Sequence, residues 1–261
     1  MTWRTSWPRS SRIVQEPDFI VPDWPAPAGI RAAFTLRPGG VSQPPFDALN
    51  VASHVGDDPR AVTENRRQLR ESLELPTEPV WLEQVHGQRV VDLDRQTSFD
   101  SLGPADAAVA RSPKRICAIQ VADCMPVLFA AADGSAVGAA HAGWRGLAGG
   151  VLEATAQAME IPHRELLAWL GPGIGQAHFE VGPEVRAAFL AADAGASAAF
   201  VANERGRWQC DLYALARRRL AALGVSSVYG GGWCTYADSA QFFSYRRDGQ
   251  CGRMAALIWR A

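Results

Sequence analysis

The sequence predicts an α+β sandwich built as one domain. Short apolar runs of strand length recur along the 261 residues, mixed with amphipathic segments of helical length. The two kinds do not alternate in the regular order that builds a doubly wound parallel sheet, which favours mixed sheets layered with helices. With 48% hydrophobic and 20% charged residues, the chain has the composition of an ordinary globular protein and is long enough for a substantial core. Neither a repeat nor a low-complexity linker divides it, so one domain over residues 30–261 is expected, behind an extended arm formed by residues 1–29.

The arm is rich in proline and tryptophan, with Trp3, Trp7 and Trp24 as anchors that would lay it over the body. Ile30 to Leu36 reads as the first core strand, followed by the glycine turn Arg37-Pro-Gly-Gly-Val-Ser. A helix is predicted from Asp58-Pro59 to about Leu73, because proline suits a first turn and Val62, Leu69 and Leu73 form an inward stripe. Pro79 to Val85 reads as a short strand, with Gln88 to Leu93 continuing as its partner. Pro104-Ala-Asp106 opens another strand, and Ile116 to Ala122 leads into the centre of the chain.

There, Val127 to Ala131 and Ala136 to Ala140 flank the turn Ala-Asp-Gly-Ser and should fold antiparallel. A helix is expected from Leu147 to about Met159, a buried strand from Leu166 to Leu170, and a helix from Pro183 to Ala192. Trp208 to Asp211 reads as a strand and Leu212 to Leu223 as an amphipathic helix ended by Gly224. Val225 to Tyr229, Gln241 to Arg246 and Met254 to Trp259 complete the predicted strands. Gly171-Pro-Gly-Ile-Gly175 reads as a turn, since it lacks the spacing and following helix of a nucleotide loop, and Arg217-Arg-Arg219 as a solvated helix face.

Bulk properties exclude several classes. A formal net charge of −1 gives no general affinity for nucleic acid or an anionic membrane. Five cysteines, an odd number in a chain of this length, do not make a disulfide framework and point to a reducing compartment. The arginines of Met1 to Arg12 have no apolar stretch behind them, and no run of about 18 apolar residues occurs, so neither a secretory signal nor a membrane span is expected. The expected location is the cytoplasm.

The chemistry should lie where the central hairpin ends. Folding the two runs antiparallel brings Cys124, at the head of the first, to the same end as His141, at the tail of the second. A thiolate beside an imidazole suits a transition metal or an activated nucleophile. The chain has only five histidines, and His86, His141 and His178 stand beside glycine or alanine in loop-like positions after strands. A lone histidine is more often structural, and a lone cysteine more often a small core residue. Two histidines and a cysteinate would nevertheless make a zinc site with one open position, the catalytic kind, although spacings of 38 and 17 residues fit no short metal signature. Cys117, Cys210, Cys234 and Cys251 read as packing residues. Arg37, Arg145 and Arg246 follow or interrupt glycine- or aromatic-rich segments and, gathered near a metal, would make a phosphate or carboxylate pocket.

Many motifs then resemble one family. They are Arg37-Pro-Gly-Gly-Val-Ser, Pro45-Phe-Asp-Ala-Leu-Asn50, His54-Val-Gly-Asp-Asp-Pro59, Glu64-Asn-Arg66, Gln84-Val-His-Gly87 and Ala105-Asp106. Further along stand Ala122-Asp-Cys124, His141-Ala-Gly-Trp-Arg-Gly146, Gly171-Pro-Gly-Ile174, Cys234-Thr-Tyr236 and Phe243-Ser-Tyr-Arg-Arg-Asp-Gly249. Together they resemble the laccase-domain purine nucleoside phosphorylases, whose members have also been called multicopper polyphenol oxidoreductases and peptidoglycan editing factors. The resemblance runs from about Asp23 to Trp259, with small departures at Leu36 and Cys251. It implies an α/β/β/α sandwich and zinc held by His86, Cys124 and His141. It further implies phosphorolysis of adenosine, inosine, guanosine and methylthioadenosine, with adenosine deamination as a second activity. In this reading Asp123 joins the ligands as a catalytic residue able to handle a proton, and Arg37, Asn50 and Arg145 bind substrate. The partners would be purine nucleosides and phosphate, in a monomer or homodimer. Rival readings are a copper-dependent polyphenol oxidase on the same trio, a metal-free hydrolase with Cys124 as nucleophile and His141 as base, and a peptidoglycan editing factor.

Overall fold

The computed structural model describes residues 19–99 and 102–261. Two mixed sheets pack face to face. The five-stranded sheet has the spatial order Phe19–Ile20, Ile30–Thr35, Met254–Arg260, Ile116–Val121, Val80–Trp81. The six-stranded sheet runs Ser227–Gly230, Leu166–Leu170, Met125–Ala131, Val137–Ala142, Ala107–Ala110, Val90–Asp92. Phe34, Ile119 and Ile258 from the first sheet meet Leu128, Ala139 and Trp169 from the second in a shared core. Helices close both outer faces: Pro59–Ser72 puts Leu69 over Ile116, Ala118 and Leu257, while Val151–Ala158, Pro183–Leu190 and Leu212–Leu223 cover the six-stranded sheet. This is the expected α/β/β/α sandwich. A small sheet of Glu180–Val181, Trp208–Cys210 and Phe200–Ala202 is added beside it.

The local chemistry explains the elements. Asp58 caps the first helix by accepting the N–H of Arg60, and Pro59 occupies its first turn. Ile116–Val121 is buried on both faces, so it reads as a continuous apolar run rather than an alternating one. Gln120 is the one polar side chain in that run. Full burial of a side chain such as Ile119 contributes about 1.5–3 kcal/mol, so these central strands supply much of the stability that holds the loops at their ends.

Four local expectations are corrected. Pro79–Val85 and Gln88–Leu93 do not pair: Val80–Trp81 joins Ile116–Val121 in one sheet, and Val90–Asp92 joins Ala107–Ala110 in the other. The segment between them crosses from sheet to sheet and turns at His86, whose φ is 63°. Gln241–Arg246 is not a strand, because Ser244 caps a helical turn at Tyr245–Asp248 by accepting the N–H of Arg247. The helix expected from Leu147 to Met159 is two, Trp144–Gly149 and Val151–Ala158, broken at Gly150 with φ 105°. Arg217–Arg219 is more than a solvated face: Arg217 donates to the carbonyls of Val228 and Gly230, and Arg219 to Glu153 and the carbonyl of Ala148.

Of the expected arm, Phe19–Ile20 is an edge strand on Ile30–Thr35, and Trp24 packs against the core between the sheets. The expected anchors Trp3 and Trp7 lie outside the described residues. Among the described residues, no helix is long and apolar enough to cross a membrane.

Candidate metal centre

The central hairpin forms as expected, with Pro126 opposite His141 and Met125 opposite Ala142. Cys124 therefore lies beside the end of the second strand. The crossing segment then brings His86 to the same point. The ligand atoms of His86, Cys124 and His141 all lie within 4.8 Å of one another, and Cys124 Sγ is 3.8 Å from His86 Nε2.

Asp106 organises two of the three. Its Oδ1 is 2.8 Å from His141 Nδ1, and since a carboxylate only accepts, this bond fixes the proton on Nδ1 and turns Nε2 toward the trio. The same carboxylate accepts the backbone N–H groups of Val85, His86 and Gly87, which holds His86 in its left-handed conformation. Burial works against the Asp106 carboxylate, but the His141 imidazole and the N–H of Gly87 outweigh it and keep its pKa below the usual value.

Burial also opposes the Cys124 thiolate. His141, and then His86, more than offset this and bring the thiol down to about 6. His141 is correspondingly raised to about 9, burial being outweighed by Cys124 and by the bond to Asp106. Each group shifts the other toward its charged form, and a cation can take the place of the proton they hold between them. Space is reserved as well: a Cβ on Gly143 would stand 2.7 Å from Cys124 Sγ and 3.0 Å from a carbon of the His86 ring. Two imidazole nitrogens and one thiolate sulfur, with one tautomer preset, fit a single zinc ion with a position left open, and copper also accepts such ligands.

The trio opens onto a cavity of about 570 Å³, within the range of small-molecule sites. Arg145, Arg246 and Arg253 line it. Arg145 is exposed, stacks on the Trp144 ring at 4.6 Å, and has no carboxylate partner among the described residues. Asp123 also lines the cavity, but its Oδ1 accepts from the Thr235 hydroxyl and its Oδ2 from the N–H of Arg246. Those bonds tie it to Thr235 and to the helical turn that carries Arg246.

Two residues expected to bind substrate stand elsewhere. Asn50 is fully buried, and its amide is spent on the carbonyl of Ala52, the carboxylate of Asp57 and the N–H groups of Ala52 and Arg253. Arg37 lies in a separate hollow with Gly39, Gly40 and Ser239, bonded to Asp47 through both its carbonyl and its carboxylate.

Sequence reasoning gave no role to Asp106 or to the cavity residues His54, Gln84, Gln120, Tyr245 and Arg253. No spacing rule singles them out, because they come from distant parts of the chain. Burial, then Arg253 and Arg66, push His54 below its ordinary pKa, so its imidazole favours the neutral form. Cys234 is not a simple packing residue either: its Sγ accepts the N–H of Gly175 and lies 3.4 Å from His178 Nδ1. His178 is outside the trio.

An α/β/β/α sandwich with a His–His–Cys set at the junction of its sheets defines a candidate single-metal protein. Residues 31–261 match the family described as multi-copper polyphenol oxidoreductase laccase, and the chain belongs to that family. It is 55% identical over 242 residues to a purine nucleoside phosphorylase of Pseudomonas aeruginosa, covering 92% of this chain and 98% of that one. It is 51% identical over 240 residues to the purine nucleoside phosphorylase YfiH of Escherichia coli, with the same coverage. Among solved structures, a Neisseria meningitidis protein of the DUF152 family superposes with a TM-score of 0.87 at 48% identity, covering 93% of this chain and 98% of that one. The Bacillus licheniformis protein YfiH gives 0.82 at 29% identity, covering 89% and 93%.

Proposed function

We propose that the chain is a metal-dependent purine nucleoside phosphorylase, which transfers the ribosyl group of adenosine, inosine, guanosine or methylthioadenosine to phosphate. The observation that carries this reading is the His86–Cys124–His141 set at a cavity walled by three arginines. The names of relatives at 55% and 51% identity support the same activity.

His86, Cys124 and His141 would hold one zinc ion, whose contribution when bound is Lewis acidity beside the reacting groups. The chain's own residues do the rest. Arg145, with no carboxylate partner among the described residues, offers its charge to phosphate, and Arg246 lines the same cavity. Asp106 keeps His141 and His86 aimed, and Asp123 keeps Cys124 and Arg246 in register. Phe179 and Tyr245 provide flat faces for a base. Water adding at C6 of adenosine, with ammonia leaving, would make adenosine deamination the second activity.

Among the described residues, only one group of histidine, cysteine and acidic side chains could hold a metal ion, which favours a single-metal enzyme over a multicopper oxidase. The low pKa of Cys124 is also what a cysteine hydrolase would need, so metal dependence must separate the two. The test is product analysis with adenosine, with and without phosphate. Adenine and ribose 1-phosphate should appear only with phosphate, inosine should form without it, and chelation should abolish both. Adenine release at the same rate without phosphate would make the protein a nucleosidase. Turnover that survives chelation but not alkylation of Cys124 would make it a cysteine hydrolase.

A further inference from the structure

Gln120 is only 6% exposed, yet it lines the cavity at the end of its strand, and its Oε1 is buried with no hydrogen-bond partner among the described residues. Leaving a buried acceptor empty costs free energy, so such an atom beside a ligand cavity marks a place where a ligand's donor belongs. The strand end is rigid there. Gln84 donates from Nε2 to the carbonyl of Gln120 and accepts the N–H of Gln120 on Oε1, both at 2.8 Å.

We propose that Gln120 reads the ring edge of the purine base, an assignment that rests on the nucleoside reading above. Phosphate does not suit the position, because its oxygens would face the amide oxygen, and the arginines are its partners. The terminal amide carries one acceptor and one donor side by side. The adenine edge complements it with the 6-amino group donating and N1 accepting. Hypoxanthine and guanine complement it in the opposite sense, with N1–H donating and O6 accepting. A half-turn of the amide converts one pattern into the other, so one glutamine serves both kinds of purine. A ribose hydroxyl would use only one of the two groups. Tyr245, 60% exposed, and His54 line the same cavity and offer rings against which the base can lie.

The test compares adenosine, inosine, 2′-deoxyadenosine and purine riboside, which has no donor at position 1 or 6, in the wild type and in Gln120→Met. The variant should lose about 10–100-fold in kcat/KM on adenosine and inosine, the equivalent of one or two hydrogen bonds. Purine riboside, which keeps N1 as an acceptor but offers the amide oxygen no donor, should lose several-fold less than adenosine, and the KM for phosphate should not change. Melting temperature should hold or rise, since the substitution removes an unpartnered buried acceptor. Equal losses on adenosine and purine riboside, no loss on either, or a clear fall in melting temperature would overturn the assignment. So would a loss that spares 2′-deoxyadenosine, which would place the amide on the sugar. A wild type that turns over none of these nucleosides would instead overturn the proposed function, and the base assignment with it.

Discussion

Arg37 and Arg145 share a side chain and a glycine-rich setting in the sequence, and the fold gives them opposite surroundings. Arg37 is enclosed by Asp47, the carbonyl of Ser239 and the Phe243 ring, so its charge is already answered. Arg145 lines the cavity over the Trp144 ring, with no carboxylate partner among the described residues. Arg145→Ala should therefore raise the KM for phosphate several-fold or more with melting temperature nearly unchanged. Arg37→Ala should leave the phosphate dependence alone and cost about 1–3 kcal/mol through the unpaired groups left behind, or roughly 3–10 °C of melting temperature. Steady-state kinetics and thermal melts of both variants decide it, and a phosphate effect confined to Arg37→Ala would return that residue to the ligand site.

Between the elements, short connections carry most of the specific chemistry. Asp94, in the turn Leu93–Arg95, accepts the N–H groups of Arg111 and Ser112 and so ties the end of strand Ala107–Ala110 to the turn. Burial raises its pKa, but those N–H groups and the Arg111 charge outweigh burial, and the carboxyl sits below its ordinary value. A carboxylate with a lowered folded-state pKa stabilises above the unfolded value and loses that contribution as pH falls through the folded one. Asp94→Asn should thus melt below the wild type at neutral pH, and the gap should close as the pH drops through the carboxylate range. Melting curves that stay parallel down to about pH 3 would show that the charge of Asp94 contributes nothing. Strand and helix positions were legible because burial imposes a period on the sequence. The pairing of Val80–Trp81 and the break at Gly150 were not, since both depend on what the chain meets across space.

At the level of the whole molecule, the trio joins parts that are separate in the chain. His86 comes from the segment that crosses between sheets, Cys124 from the connection between Ile116–Val121 and Met125–Ala131, and His141 from a strand of the six-stranded sheet. The unfolded chain has no such site, so a metal held there stabilises only the folded form. At a free metal concentration 100 times the dissociation constant the gain is about 2.7 kcal/mol. In a protein of this size that is roughly 5–10 °C of melting temperature. Chelation should lower the melting point by that order and re-addition of zinc restore it, while Cys124→Ala should show neither change. A wild type whose melting point ignores both treatments would mean that the trio does not bind the ion.

The sequence by itself determined the sandwich class, most strand and helix positions, and the meeting of Cys124 with His141, because a hairpin is a local structure whose geometry follows from its turn and its alternation. The motifs it shares with its family pointed to His86 as the third member. Only the tertiary structure decided that Asp106 orients His141 and His86, that Asn50 and Arg37 are occupied by the protein itself, and that Gln120 lines the cavity while its buried amide oxygen has no partner among the described residues. Those facts depend on which polar groups find partners across the fold. Spacing along the chain does not encode such pairing, because it is settled only when the two sheets close on each other and water leaves the space between them.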